Sequence, residues 1–281
     1  NRQPSTVNRQ PSTVNRQPST VNRQPSTVNR QPSTVNRQPI SMKTILPFLV
    51  LALLFGACNK DSSEPEPEIP DQGFTEEFES STAAAARGWV YTNRSVDLGS
   101  TNWSNPTDPP FPAFSYTSNL NGYLWADFNS TSSAAGTISN WALSPITIMQ
   151  NGDRIVFHTR AQLYFFNNDS TDFVNRLQVR LNSRNTGQEV GNGTSTGDFN
   201  TLLLDINPGY NEFLYQQWLN REASALNAYP HRWTRFEAVI SGLPGPTEGR
   251  FAFRYFIEGA GNNGRGTAVG IDKVEYIPAG Q

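Results

Sequence analysis

Cysteine occurs once in the 281 residues, at Cys58, and histidine twice, at His158 and His231. No disulfide can form within the chain, and zinc sites built from cysteine and histidine are excluded. His158 falls in the strand-like run 155–159 and His231 follows Pro230. Those settings suit a surface or hydrogen-bonded core histidine rather than the base of a Ser-His-Asp triad. No glycine-rich phosphate loop follows a strand and opens a helix. Asp169 and Asp172 could serve a glycosidase only if carboxyl groups faced each other across a cleft; in the turn-like run 167–171 and just beyond it they read as loop residues. The sequence therefore carries no enzyme constellation. Charged residues make up 16% of the chain and no basic cluster occurs, which argues against nucleic acid or anionic lipid as the main partner.

What is present begins with a repeat. Asn-Arg-Gln-Pro-Ser-Thr-Val occurs five times without variation over residues 1–35 and starts again at Asn36. Proline in every unit and the lack of a core-forming pattern predict disorder. The DNA heptamer AACCGTC, read three times, translates as this seven-residue unit, so a tandem seven-base repeat explains the perfect identity. The tract 1–41 is thus expected to lie upstream of the true start at Met42. With its six arginines and Lys43 set aside, 15 basic residues stand against 24 acidic ones, a net charge of −9.

Met42 and Lys43 open a second segment, 42–57, whose apolar run 45–55 is about 11 residues long. That is too short to span a bilayer and suits the core of a signal peptide. It ends Leu54-Phe55-Gly56-Ala57-Cys58, which resembles the lipobox cut by lipoprotein signal peptidase and implies a lipid on Cys58. Residues 58–72 are acidic and rich in proline and serine, as an extended tether is. Lys60 followed by acids resembles the export signal of Bacteroidetes surface lipoproteins. The expected location is the cell envelope, as an outer-membrane lipoprotein exposed at the surface.

Residues 73–281 read as one all-β domain. Leu177, Val179 and Leu181 alternate with Arg176, Gln178 and Arg180; Phe251, Phe253, Tyr255 and Ile257 alternate with Ala252, Arg254 and Phe256; Phe236, Ala238 and Ile240 repeat the pattern. Period two with aromatic and β-branched residues predicts half-buried strands. Turn residues separate them, as in Asn151-Gly152-Asp153 and Gly261-Asn262-Asn263-Gly264, so an antiparallel sandwich is expected. Only 212–226 reads as helix-capable.

An ordered set of motifs runs through this domain: Gly99-Ser-Thr-Asn-Trp103, Gly136-Thr-Ile-Ser-Asn-Trp141, Thr201-Leu-Leu-Leu-Asp205, Tyr229-Pro-His-Arg-Trp233, Gly249-Arg-Phe-Ala-Phe-Arg-Tyr255 and Gly270-Ile-Asp272-Lys-Val274. In order and spacing the set resembles the choice-of-anchor J domain, a family related to gingipain cleaved-adhesin modules and similar in pattern to MAM domains. The resemblance covers nearly all of 74–277 and implies a jelly-roll β-sandwich displayed on a cell surface. It also suggests a structural calcium site. In MAM-like domains matching Phe-Glu and Ile-Asp pairs hold the ion, which points to Glu79 and Asp272. Lys273 stands where that pattern often has a second acid, and its charge opposes a cation. The alternative is that Asp272 caps a turn and Glu79 faces water.

Aromatic residues cluster in 206–232, where Tyr210, Tyr215 and Trp218 are candidates for ligand binding by ring stacking; covering one end of the sandwich is the alternative. Trp89, Trp103, Trp125, Trp141 and Trp233 fall in or beside the motifs and are expected in the core. The expected function is non-catalytic binding or adhesion at the cell surface, with glycan as the sharper version. The alternatives are a structural surface component or protein-partner module, and then an accessory glycan hydrolase.

Overall fold

A computed structural model describes residues 72–114, 119–166 and 169–281. The repeat tract, the signal segment with Cys58 and nearly all of the tether lie outside the described residues. The described chain forms, in order, β1 (Phe74–Glu76), α1 (Ser81–Ala86), β2 (Val90–Asn93), β3 (Leu124–Asp127), a 3-10 turn (Phe128–Ser130), β4 (Gly136–Leu143), β5 (Thr147–Met149), β6 (Arg154–Ala161), β7 (Tyr164–Phe166), β8 (Asp169–Thr171), β9 (Leu177–Asn182), β10 (Thr201–Ile206), α2 (Tyr215–Leu219), α3 (Ala223–Leu226), β11 (Thr234–Val239), β12 (Thr247–Ala260) and β13 (Ala268–Ile277). No helix among them is long and apolar enough to cross a membrane.

Two antiparallel sheets make the sandwich. One runs β1-β13-β6-β11, with β3 also pairing β13; the other runs β10-β9-β12-β4-β2, with β5 also pairing β12. First and last strands are neighbours, Phe74 opposite Tyr276 and Glu76 opposite Val274. The alternation read from the sequence aims Phe251, Phe253, Tyr255 and Ile257 of β12 at Ile155 and Phe157 of β6 and at Val269, Ile271, Val274 and Tyr276 of β13, in one core. Keeping both Ile271 and Val274 on the inner face needs an extra residue between them. The register of β13 shifts between Asp272 and Glu275, and Lys273 takes φ of 48°, as at a β-bulge.

Parts of both outer faces are covered. β12 is buried on both sides from Arg250 to Ile257, whereas the sequence pattern predicted a solvated outer face. The segment 183–200 lies over it: Val190 and Phe199 pack on Trp141, Leu143 and Ala252. Arg254, 1% exposed, donates to Ser139 Oγ at 3.0 Å and to the carbonyls of Gly193 and Ser195. Burial pulls its pKa down to about 9. On the other sheet, Phe111, Ala113 and Tyr123 form a small outer core with Trp125 and Trp233. Gly270 of β13 leaves room for it, because a Cβ there would lie 2.9 Å from both the Phe111 and Trp233 rings.

Two local expectations are corrected. Helix is not confined to 212–226, because α1 forms at Ser81–Ala86: Ser80 Oγ accepts the Ala83 N–H, and four alanines follow, a cap and a helix-forming run too short to show periodicity. The stretch 212–226 itself divides into α2 and α3 around Arg221, whose φ of 59° breaks the helix. Likewise 169–171 is not loop but β8, paired with β7 in a small hairpin.

Candidate functional site

With the outer faces partly covered, two adjoining cavities lie at one end of the sandwich. At that end β3, the 3-10 turn, the β7–β8 hairpin and the β12–β13 turn converge. Asp127 ends β3 and caps the 3-10 turn, accepting from Asn129 N at 3.0 Å and Asn129 Nδ2 at 2.9 Å; this turns out Phe128. Burial raises the pKa of Asp127 against those hydrogen bonds. Buried Asn175 holds the opposite wall: its Nδ2 donates to Thr267 Oγ1 at 2.8 Å and its Oδ1 accepts from Thr267 N at 3.1 Å. The Gly266 N–H donates to the Phe173 carbonyl at 2.7 Å, which fixes the β12–β13 turn against the hairpin. Gly266, at φ of 100°, makes the turn in a conformation that side chains rarely adopt.

Between these walls lie two adjoining cavities that share Phe128, Tyr164 and Thr267. One, of about 260 Å³, also meets Phe173 and Asn262. The other, of about 230 Å³, also meets Asp108, Trp125, Asp127 and Gln162. The Tyr164 and Phe173 rings stand edge to face with centroids 6.1 Å apart, and Phe173 is 42% exposed. Aromatic faces beside carboxyl, amide and hydroxyl groups can stack on a ring and hydrogen-bond its substituents. Sequence reasoning missed this cleft. Its residues are scattered from Asp108 to Thr267, and the available signal was aromatic residues placed beside turn residues, as in Phe128-Asn129-Ser130.

The residues named from the sequence are distributed differently. Tyr215 and Trp218 are brought together on α2, rings stacked at 6.1 Å, and Trp218 also borders a cavity of about 290 Å³ with Phe213, Tyr229 and His231. Tyr210 belongs elsewhere: it takes φ of 52°, its hydroxyl accepts from Glu258 N at 3.0 Å, and its ring sits under the guanidinium of Arg265 at 4.3 Å. Tyr229 is buried and paired with Thr159 Oγ1 at 2.6 Å. Trp89, Trp103 and Trp141 are buried, while Trp125 and Trp233 only flank the outer core.

Burial lowers the pKa of both histidines. His231, stacked on Phe213 at 4.0 Å, is pushed down to about 4 by burial and then by Arg232 and Arg160. His158 lies against Phe114 at 3.8 Å, its pKa lowered by burial and by Lys273. Asp172 is raised to about 6 by burial, against the N–H groups of Val174 and Phe213 that it accepts.

Glu79 and Asp272, the residues named for calcium, each have a hydrogen-bond partner among the described residues. Glu79 is not on the first strand: Phe78, at φ of 49°, turns the chain after β1 and enters the core, leaving Glu79 exposed with Asn119 Nδ2 donating to it at 2.8 Å. Strand residue Glu76 is tied to Arg87 at 2.6 Å. Asp272 is fully buried and accepts the N–H of Phe114 at 2.8 Å and of Lys273 at 2.7 Å. Among the described residues no group of three His, Cys, Asp or Glu stands where it could hold a metal.

No family model matches the chain, and no curated protein does. Among solved structures the chain is similar to the K1 cleaved adhesin domain of Lys-gingipain from Porphyromonas gingivalis, at 18% identity over 74% of this chain and 99% of that one, with a TM-score of 0.43. The K3 domain of the same protein matches at 17% identity over 72% and 97%, TM-score 0.42. A family 11 carbohydrate-binding module from Clostridium thermocellum matches at 10% identity over 76% and 92%, TM-score 0.27. Likenesses of this degree carry nothing about activity; the architecture rests on the strand pairings above.

Proposed function

We propose that this chain is a lipid-anchored surface module of the choice-of-anchor J kind that binds glycan without cleaving it, in the cleft around Tyr164. The observation that carries this reading is the convergence of Phe128, Tyr164 and Phe173 with Asp127, Gln162 and Asn262 around adjoining cavities. Sugar rings present an apolar C–H face to aromatic rings and hydroxyls to amides and carboxyls. Asp127 is occupied in capping the 3-10 turn, a structural use of the carboxylate. The anchor and the surface location rest on the lipobox at Cys58 and the acidic tether. The test is binding of the purified full chain to an immobilised glycan panel, beside its Tyr164→Ala and Phe173→Ala variants. Binding that both variants lose, with no release of reducing ends, supports the reading; steady release of reducing ends makes the protein a hydrolase.

A second reading is favoured by one patch. Tyr215, Trp218, Leu219 and Leu226 on α2 and α3 are 38%, 36%, 51% and 54% exposed, a composition suited to a protein partner. Binding of glycan that survives in a Trp218→Ala variant separates this patch from the cleft.

A further inference from the structure

We infer that the Tyr164 cleft selects neutral glycans over acidic ones, an inference that rests on the glycan-binding reading above. The ionisable acids and bases along the opening are of one sign. Asp108 and Asp127 line it, and no Lys, Arg or His does among the described residues. The other polar side chains, Gln162, Asn262 and Thr267, offer uncharged donors and acceptors of the kind hydroxyls need.

Arginines close in sequence to the lining residues are directed elsewhere. Arg265 belongs to the same β12–β13 turn, yet its guanidinium lies over Tyr210 at 4.3 Å and donates to the Glu258 carbonyl at 3.2 Å. Arg160 is the residue before the end of β6, and it lies over Phe111 at 4.2 Å. Arg176 is committed to Asp205 by two hydrogen bonds, at 2.9 and 2.6 Å. A uronate or sulfate laid on the Tyr164 and Phe173 rings would therefore meet carboxylates and no balancing cation. Asp127 is only 8% exposed, so the repulsion is weakly screened by solvent and salt.

The experiment uses the full chain in affinity electrophoresis against glucan, mannan, galactan and xylan, each neutral and as its carboxymethyl derivative. At least one neutral polymer is expected to retard the protein. Its carboxymethyl derivative is expected to bind roughly tenfold more weakly or worse at low salt, as one unbalanced charge contact of about 1.4 kcal/mol produces. Asp108→Asn, at an exposed position, is expected to recover part of the lost affinity, and Tyr164→Ala and Phe173→Ala to abolish retardation by the neutral polymer. Equal or tighter binding of the carboxymethyl form, still lost in the Tyr164 and Phe173 variants, overturns the inference and leaves the glycan reading standing. Retardation that survives both variants puts the site outside this cleft and also overturns it. No retardation by any polymer removes the glycan reading and the inference with it.

Discussion

Asp172 holds Phe213 across 41 residues: its Oδ2 accepts the Phe213 N–H at 2.8 Å. The Phe213 ring lies against His231, centroids 4.0 Å apart. Beside this pair Ser170 Oγ accepts the Tyr215 N–H at 3.0 Å. The excursion that carries α2 and α3 is thus fastened to β8 and its continuation by Ser170 and by Asp172, and Asp172 titrates.

The two titrations act with opposite sign. Asp172 has a folded pKa of about 6 against about 3.9 unfolded, so its contribution is full below pH ~4 and is lost as pH rises through ~6, by roughly 2–3 kcal/mol. Replacing it by Asn keeps an acceptor for Phe213 and removes the titration. Denaturant unfolding at pH 4, 5.5 and 7 should show the wild type losing stability relative to Asp172→Asn as pH rises; parallel profiles would refute a burial-raised carboxyl.

His231 has a folded pKa of about 4, below its unfolded value of about 6.5. Its contribution is present above pH ~6.5 and is lost as pH falls towards ~4. Across that window the two residues offset each other, so the wild-type profile should be flatter than that of either Asp172→Asn or His231→Gln. A His231→Gln profile superimposable on the wild type would show that the imidazole is not desolvated.

Gly270→Ala should destabilise the domain by roughly 1–3 kcal/mol, because the methyl drives into aromatic rings that have no free end to swing aside. Trp fluorescence during urea unfolding reads the loss, with Trp233 beside the site. A variant of unchanged stability would mean that the outer core of Phe111, Tyr123 and Trp233 is loosely packed.

Asp272 serves as a backbone acceptor, so its loss should cost roughly 1–3 kcal/mol by leaving the part-buried N–H groups of Phe114 and Lys273 without their acceptor, with calcium and chelator leaving the melting temperature unchanged. A ligand confined to the folded state adds about 2.7 kcal/mol at a 100-fold excess over Kd. A calcium-dependent rise of that order, absent in Asp272→Ala, would show that residues outside those described complete an ion site.

Cys58→Ala should abolish incorporation of an alkyne fatty acid and release from the membrane fraction by detergent alone. Label retained in the variant would remove the lipid anchor from the proposed function.

Strand interiors were legible because alternation is local: Phe251, Phe253, Tyr255 and Ile257 repeat every two residues and share one face whatever the partner strand. Turns at Asn151-Gly152-Asp153 and Gly261–Gly264 were legible for the same reason, since Gly152 and Gly261 reach φ of 94° and 123° within their own residues. The hairpin at Phe165 and Ser170 escaped notice because a polar run pairs as strand only when its partner is present. Tyr210 illustrates the limit for function: a tyrosine among aromatics looks like a stacking residue, yet its ring is taken by Arg265.

The amino-acid sequence by itself determined that the domain is built of strands and which residues of β9, β11 and β12 face the core between the sheets, because periodicity and turn chemistry are properties of neighbouring residues. Tertiary structure alone decided that 183–200 covers part of one outer face and that Phe111 and Tyr123 cover part of the other, that Asp272 meets Phe114, and that Phe128, Tyr164 and Phe173 share one cleft. Those contacts join residues tens to more than a hundred positions apart, and they exist only once the sheets have closed and the long connections have found the surfaces left uncovered.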